Sequence, residues 1–245
     1  MYNIWAIFNR EFKNYFITPI AYVFIAIFLL MNGIFTFYVG SFFQRGIADL
    51  VPFFSSHPWI YMIFIPAITM RLWAEEKKQG TEELLFTLPI TTIQAIIAKL
   101  LAAWCFIIIA LLLTFPMVFA VNYLGNPDNG VILAGYLGSA LMAGAFIAIG
   151  SCISATTSNQ VIAFVGSFLV SMLFNVTGFP MVIDYLSKIL PGNMIEIIQG
   201  FSFVTNFDVI IKGLLDVKVL VYFASIMLAW MVANVIILEI NKARN

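Results

Sequence analysis

The chain is predicted to be an all-α integral membrane protein, and three observations predict it. Hydrophobic residues fill 62% of its 245 positions and charged residues only 10%, against roughly 25% charged in a soluble domain. The apolar residues fall in continuous runs of about the 20-residue length that crosses a bilayer as a helix. They do not alternate with polar residues over about ten-residue segments, as the strands of a lipid-facing barrel would. Only helices and closed barrels satisfy every backbone group in lipid. A single membrane domain over residues 1–245 is expected.

The opening segment, 1–17, is amphipathic. Ile4, Ile7, Phe8 and Phe12 recur at helical spacing, while Arg10, Glu11, Lys13 and Asn14 fall elsewhere. That pattern suits a helix lying in the membrane interface. A cleavable leader is not expected, because the apolar run that follows is too long and no A-x-A site follows it. Six spans are then expected, at about 19–42, 52–73, 93–123, 131–153, 159–179 and 217–239. Pro66 and Pro116 lie inside the second and third and predict kinks. The fourth is rich in small residues, Gly135, Gly138, Ser139, Gly144 and Gly150, which let another helix approach closely. Between the fifth and sixth, Ile183, Leu186 and Leu190 lie at helical spacing, Pro191-Gly192 punctuates, and Ile195 and Ile198 resume the pattern. That stretch reads as an interfacial helical hairpin.

Lysine and arginine placement sets the orientation. With six spans, one side carries Arg10, Lys13, Arg71, Lys77, Lys78, Lys99, Lys242 and Arg244. The other carries Arg45, Lys188, Lys212 and Lys218. The positive-inside rule puts the larger group, and both termini, in the cytoplasm.

Several chemistries have no sequence basis. There is no P-loop and no H-E-x-x-H, and no G-x-S-x-G. The two cysteines, Cys105 and Cys152, lie inside apolar runs and suggest neither a disulfide nor a metal site. The single histidine, His57, is expected to be an ordinary interfacial residue near the outer end of the second span. Span centres lack Asp, Glu, Lys and Arg, with Arg71, Lys99 and Glu239 near predicted ends. A proton-driven pump usually places ionisable groups at mid-membrane. An intramembrane enzyme, a bound metal or cofactor, and a nucleic-acid partner are therefore not expected.

The most polar stretch is "EEKKQGTEELLFTLPI", residues 75–90. Gly80 breaks the helix leaving the second span and permits positive φ. Thr81 is a good N-cap, and Glu82 and Glu83 fall in the first turn, where the helix dipole favours acids. Leu84, Leu85 and Leu88 form a small apolar face, and Pro89 ends the segment. Thr91 and Gln94 then have capping-box spacing for the next span. A helix of about two turns is marginal alone, so it needs packing, and its leucines suit a partner's groove. A plain connector is the alternative reading.

The stretch "FIPAITMRLWAEEKKQGTEELLFTLPI" resembles the second span and first cytoplasmic loop of ABC-2-type transporter permeases. It is most similar to the branch with the gliding-motility and nitrous-oxide-reductase-maturation permeases. "FVTNFDVIIKGLLDVKVLVYF" is similar to that branch's stretch before the last span, with Lys212, Gly213 and Asp216 in the matching places. The resemblance implies a half-transporter. Residues 1–17, with Arg10, Glu11 and Lys13, would be an elbow helix. Residues 82–88, flanked by Gly80, Thr81 and Pro89, would be the coupling helix that docks on a separate ATP-binding subunit carrying Mg-ATP. "SATTSNQ" would be a second cytoplasmic contact, and 180–215 would form short extracellular or re-entrant helices. A second permease copy or close relative would complete a dimer in the cytoplasmic (inner) membrane, around a path between kinked spans, and close-packed kinked or small-residue helices would supply the dimer face. The chain lacks the large periplasmic insertion of some relatives, so a soluble partner there would be a separate accessory protein. Two functions stay open: ATP-driven export, or mechanical transmission to an external partner without transport.

Overall fold

The computed structural model describes residues 2–82, 90–214 and 216–244. Among these, every regular element is a helix. The amphipathic segment forms α1 (Tyr2–Ile17). Pro19 then opens α2 (Pro19–Ile34), at a helix start where its missing N–H needs no partner. The helix widens into a π-helical turn over Phe35–Val39 before the chain leaves the span.

The expected second span, 52–73, is three helices rather than one: α3 (Val51–Ser55), α4 (His57–Thr69) and α5 (Arg71–Gln79). Pro58 explains the first break. A continuous helix would need an N–H at position 58 to bond the carbonyl of Phe54, and proline has none. The chain therefore restarts with Pro58 in the first turn of α4. Pro66 stays inside α4, and the helix gives way one turn later at Met70, whose N–H bonds the Pro66 carbonyl at 2.9 Å. With 13 residues, α4 is about 20 Å long, short of the roughly 30 Å hydrocarbon layer.

Next come α6 (Thr92–Leu112) and α7 (Pro116–Leu124). The expected capping box is present: the Thr91 hydroxyl accepts from the Gln94 N–H at 3.3 Å, and the Thr91 N–H donates to Gln94 Oε1 at 3.2 Å. The interruption at 113–115 falls where Pro116 was expected to disturb the helix, and Pro116 itself starts α7. The longest central element is α8 (Asn129–Ser154), of 26 residues and about 39 Å. Asp128 caps it, accepting from the Gly130 N–H at 2.8 Å. The chain continues with α9 (Gln160–Val176), α10 (Pro180–Leu186), α11 (Gly192–Gly200), α12 (Phe203–Ile211) and α13 (Val217–Arg244).

Among the described residues, four helical stretches are long and apolar enough to cross a membrane: Ala21–Val39, Thr92–Leu124, Asn129–Ser154 and Val217–Ala243. The count rises to six if two bent pairs each form one span, α9 with α10 at 74° and α11 with α12 at 69°. The protein is thus an all-α, multi-pass membrane protein. The 52–73 segment is broken into helices too short to be counted among these six, yet it runs along α8 from His57 beside Ser139 to Trp73 beside Ser154; α11 with α12, a bent pair, lies within 180–215. There α12 turns inward and buries Phe203, Phe207, Ile210 and Ile211.

Helix α8 is the hub. A Cβ added at Gly150 would lie 2.0 Å from Thr69 Oγ1 on α4, and one at Gly138 would lie 2.7 Å from Ile210 on α12. The close approach expected of this small-residue helix is therefore made inside the chain. Its most apolar window is 72% buried, against 17% for those of α2 and α13.

Paired contacts give the helix directions. His57 meets Ser139 and Thr69 meets Gly150, so α4 runs parallel to α8. Trp104 bonds the Ala140 carbonyl and Thr114 bonds Tyr136, so α6 runs antiparallel to α8. Asn234 bonds Ser151 and Asn241 bonds the Ala155 carbonyl, so α13 runs with α8. One end of the bundle consequently gathers α1, the end of α5, the start of α6, residue 155 and residue 241.

Candidate functional site

The site grows from one buried cation. Lys99 lies two turns inside α6 and is 1% exposed. A charge so placed must be paired and hydrogen-bonded. Its Nζ donates to the Leu72 carbonyl at 2.9 Å and to Glu11 Oε1 at 3.3 Å, and lies 2.9 Å from Glu76 Oε1. It also sits 5.0 Å from the centre of the Trp73 ring, a cation–π contact. Arg10 adds a second cation, 2.5 Å from Glu11 and 3.3 Å from Glu76. Two cations and two carboxylates from α1, α5 and α6 thus balance.

The network continues through neutral groups. Trp73 Nε1 donates to Ser151 Oγ at 3.1 Å, and Asn234 of α13 donates to the same oxygen at 2.9 Å. The backbone N–H groups of Trp73 and Ala74 both donate to Ser154 Oγ, which donates in turn to the Met70 carbonyl at 2.8 Å. Lys77 and Asn241 both donate to the Ala155 carbonyl. Helix α5 is therefore tied to α1, α6, α8 and, through Ser151 and Ala155, α13.

Electrostatics follow the geometry. Burial by itself would raise the Glu11 carboxyl pKa, but the charges and hydrogen bonds of Lys99 and Arg10 outweigh it and hold it below its ordinary 4.5. Partial burial would lower Arg10, and Glu11 and Glu76 reverse that, so its pKa is raised. For Lys77, burial prevails over the nearby Glu82 and lowers the pKa. Beside the cluster is a cavity of about 720 Å³ between α1 and α5, lined by Arg10, Asn14, Tyr15, Thr18, Arg71, Glu75, Gln79 and Lys99, among others.

The amphipathic reading of α1 needs one correction. Ile7, Glu11 and Tyr15 are spaced four apart, and Ile7 and Tyr15 are buried. Glu11 thus belongs to the inward face rather than the solvated one. The sequence held a clue in Lys99, six residues inside the expected third span and in need of a carboxylate. Lys13 is exposed and outside the cluster. The aromatic side chains of Trp5, Phe8 and Phe12 stack along the helix at 5.1 and 5.6 Å.

Gly80 ends α5 in the left-handed region, at φ 70° and ψ 9°, and its N–H returns to the Lys77 carbonyl at 3.2 Å. Thr81 and Glu82 are already helical, and Glu82 is buried. The Thr81 hydroxyl donates back to the Glu76 carbonyl at 3.4 Å, and the N–H groups that Thr81 is expected to cap belong to residues outside the described ones. Glu83, Leu84, Leu85, Leu88 and Pro89 lie outside the described residues. The loop after α8 reaches the same end, where Asn159 caps α9 by accepting from the Val161 N–H at 2.9 Å.

His57 is the second correction. It is not interfacial but wholly buried, with Nδ1 2.5 Å from Ser139 Oγ, which also lies 2.8 Å from Tyr61 Oη. The rings of Phe28, Phe53, Phe54 and Phe207 surround the imidazole. The triangle fastens α4 to α8. Among the described residues, no group of three or more His, Cys, Asp or Glu side chains is arranged to hold a metal ion. No family model matches the chain, and no curated protein matches it.

Proposed function

We propose that the chain is the membrane-spanning permease subunit of an ABC-2-type exporter, with its termini and residues 75–90 on the cytoplasmic side. Its partners are a separate ATP-binding subunit and a second permease. The resemblance of residues 64–90 supports this reading. The observation that carries it is the mounting of α5. A polar helix leaves the bundle, stops at a left-handed glycine, and is cross-linked by charged and polar side chains to α1, α6, α8 and α13. A docking segment fixed to that helix passes a push from an ATPase into the bundle instead of absorbing it.

The test is co-purification of the ATP-binding subunit with variants of the docking segment. Leu85→Ala removes apolar area worth roughly 1.5–3 kcal/mol if buried in the complex, and so weakens binding about tenfold or more. Glu83→Lys changes affinity and its salt dependence. Gly80→Val impairs ATP turnover through the backbone alone, because a Cβ there meets nothing within 4 Å, whereas Gly80→Asn, which tolerates positive φ, retains more. Wild-type binding and turnover in Leu85→Ala and Glu83→Lys together sink the reading. Reconstitution in liposomes then separates export, where a solute changes sides, from transmission, where only an external partner is remodelled.

A further inference from the structure

The cavity between α1 and α5 holds charges that the ion network leaves over. Lys99 and Arg10 are matched by Glu11 and Glu76. Arg71 and Glu75 line the same cavity, yet neither forms an ion pair among the described residues. The Arg71 guanidinium lies 5.6 Å from the centre of the Tyr15 ring, which orients it and leaves its donors available. Glu75 accepts only a 3.3 Å hydrogen bond from Gln79 one turn on. The cavity therefore presents one unpaired cation and one unpaired anion a turn apart, with the polar side chains of Asn14, Thr18 and Gln79 around them.

Its position is equally informative. Ile17, 74% exposed, lines the cavity, and the chain passes through Thr18 into α2, the first candidate span. Tyr22, Val23 and Leu30 then expose apolar side chains along that helix. A cavity lined by charged and polar side chains thus lies where an apolar, unpacked helix surface begins, which is the layout of a phospholipid with its headgroup inside and its chains outside.

We propose that this cavity binds the headgroup of a zwitterionic phospholipid with a primary amine, a phosphoethanolamine. Arg71 takes the phosphate through its guanidinium fork, and Glu75 takes the ammonium. Phosphocholine offers Glu75 no N–H, and phosphoglycerol offers it no cation, so both bind more weakly. Occupancy braces α1 against α5. This inference rests on the membrane character of the protein and not on the proposed ATPase partnership.

The test uses the detergent-purified full chain, delipidated, with phosphatidylethanolamine, phosphatidylcholine or phosphatidylglycerol added back. Retained lipid is counted by native mass spectrometry and thermal stability is measured in parallel. Phosphatidylethanolamine is expected to bind about tenfold more tightly than either other lipid, the scale of one charged hydrogen bond. Arg71→Gln loses binding of all three. Glu75→Gln, on a half-exposed site that does not threaten folding, keeps binding but loses the preference for the amine. Lys218→Gln, at the other end of the bundle, changes neither. Soluble glycerophosphoethanolamine and inorganic phosphate are tested alone. Protection by either that equals the lipid's assigns the cavity to a free phosphate compound and overturns the lipid proposal. Equal retention of the three lipids by the wild type, or an unchanged preference in Glu75→Gln, also overturns it.

Discussion

The two ends of the bundle are held by different chemistry. At the end that gathers α1, α5 and the start of α6, ionised side chains do the fastening: Lys99 and Arg10 each lie within 3.3 Å of both Glu11 and Glu76. Toward the other end a local Arg45–Asp49 pair stays within one loop, and the ties between helices are neutral. Ser139 bridges His57 and Tyr61, Thr114 meets Tyr136 at 2.9 Å, and the Tyr222 hydroxyl donates to the Phe201 carbonyl at 2.6 Å. The difference teaches where the chain can tolerate change. Neutral hydrogen bonds are each worth about 1 kcal/mol net. A buried ion cluster contributes little net stability when whole, but removing one member strands the others. The ionic end is thus specified all-or-none, whereas the neutral end is a sum of small terms.

Breaking the cluster is the strongest test of that contrast. Lys99→Met leaves Glu11 and Glu76 facing each other with only half-exposed Arg10 between them. It is expected to cost about 3 kcal/mol and to lower the melting midpoint in detergent more than any single change at the neutral end. Restoring stability by the triple change Lys99→Met, Glu11→Gln, Glu76→Gln would show that the loss came from stranded charge rather than from packing. A Lys99→Met protein that melts like wild type breaks the comparison outright.

The neutral end supplies the next largest effect. Ser139→Ala leaves His57 Nδ1 and Tyr61 Oη without their shared partner inside an aromatic wall, and is expected to cost about 1–2 kcal/mol. Double removal of Ser139 and Tyr61 oxygen atoms should cost less than the sum of the single changes, as a shared bond requires. Additive losses on unfolding in detergent would mean the triangle is not a unit.

Trp73→Phe sharpens the contrast at the ionic end. It removes the indole N–H donated to Ser151 while keeping an aromatic face near Lys99, so about 1 kcal/mol is expected. Asn234 still holds Ser151, which keeps the loss small.

The smallest effect is a pH dependence. Glu11's pKa is lower folded than its ordinary 4.5, so its contribution to stability is fully present above that value and is lost as pH falls through the folded value. Melting of wild type and Glu11→Gln should therefore differ most near neutral pH and converge on acidification. A gap that stays constant below the ordinary carboxylate range would place the origin of Glu11's effect outside its charge.

Much of this protein was legible from its residues taken in order. Local rules decide local structure. The Thr91–Gln94 capping box, the positive φ of Gly80, the disturbance at Pro116 and the amphipathic period of α1 all depend on neighbours within about one turn, and all are present. The all-α membrane class follows from composition, because lipid leaves the backbone few alternatives. Pro58 follows the same local rule, because its missing N–H divides the expected second span.

Tertiary structure alone decided which partners meet across the bundle. Hydrophobic periodicity scores the Glu11 carboxylate as outward-facing, and an inward carboxylate becomes favourable once Lys99, 88 positions away, joins Arg10 beside it. His57 read as interfacial because its partner, Ser139, lies 82 positions on. The glycines of α8 promised close packing without naming what would pack. A helical period fixes which residues share a face. The energy of burying a polar group depends on whether a complementary group arrives from elsewhere, and that is set when distant helices come together.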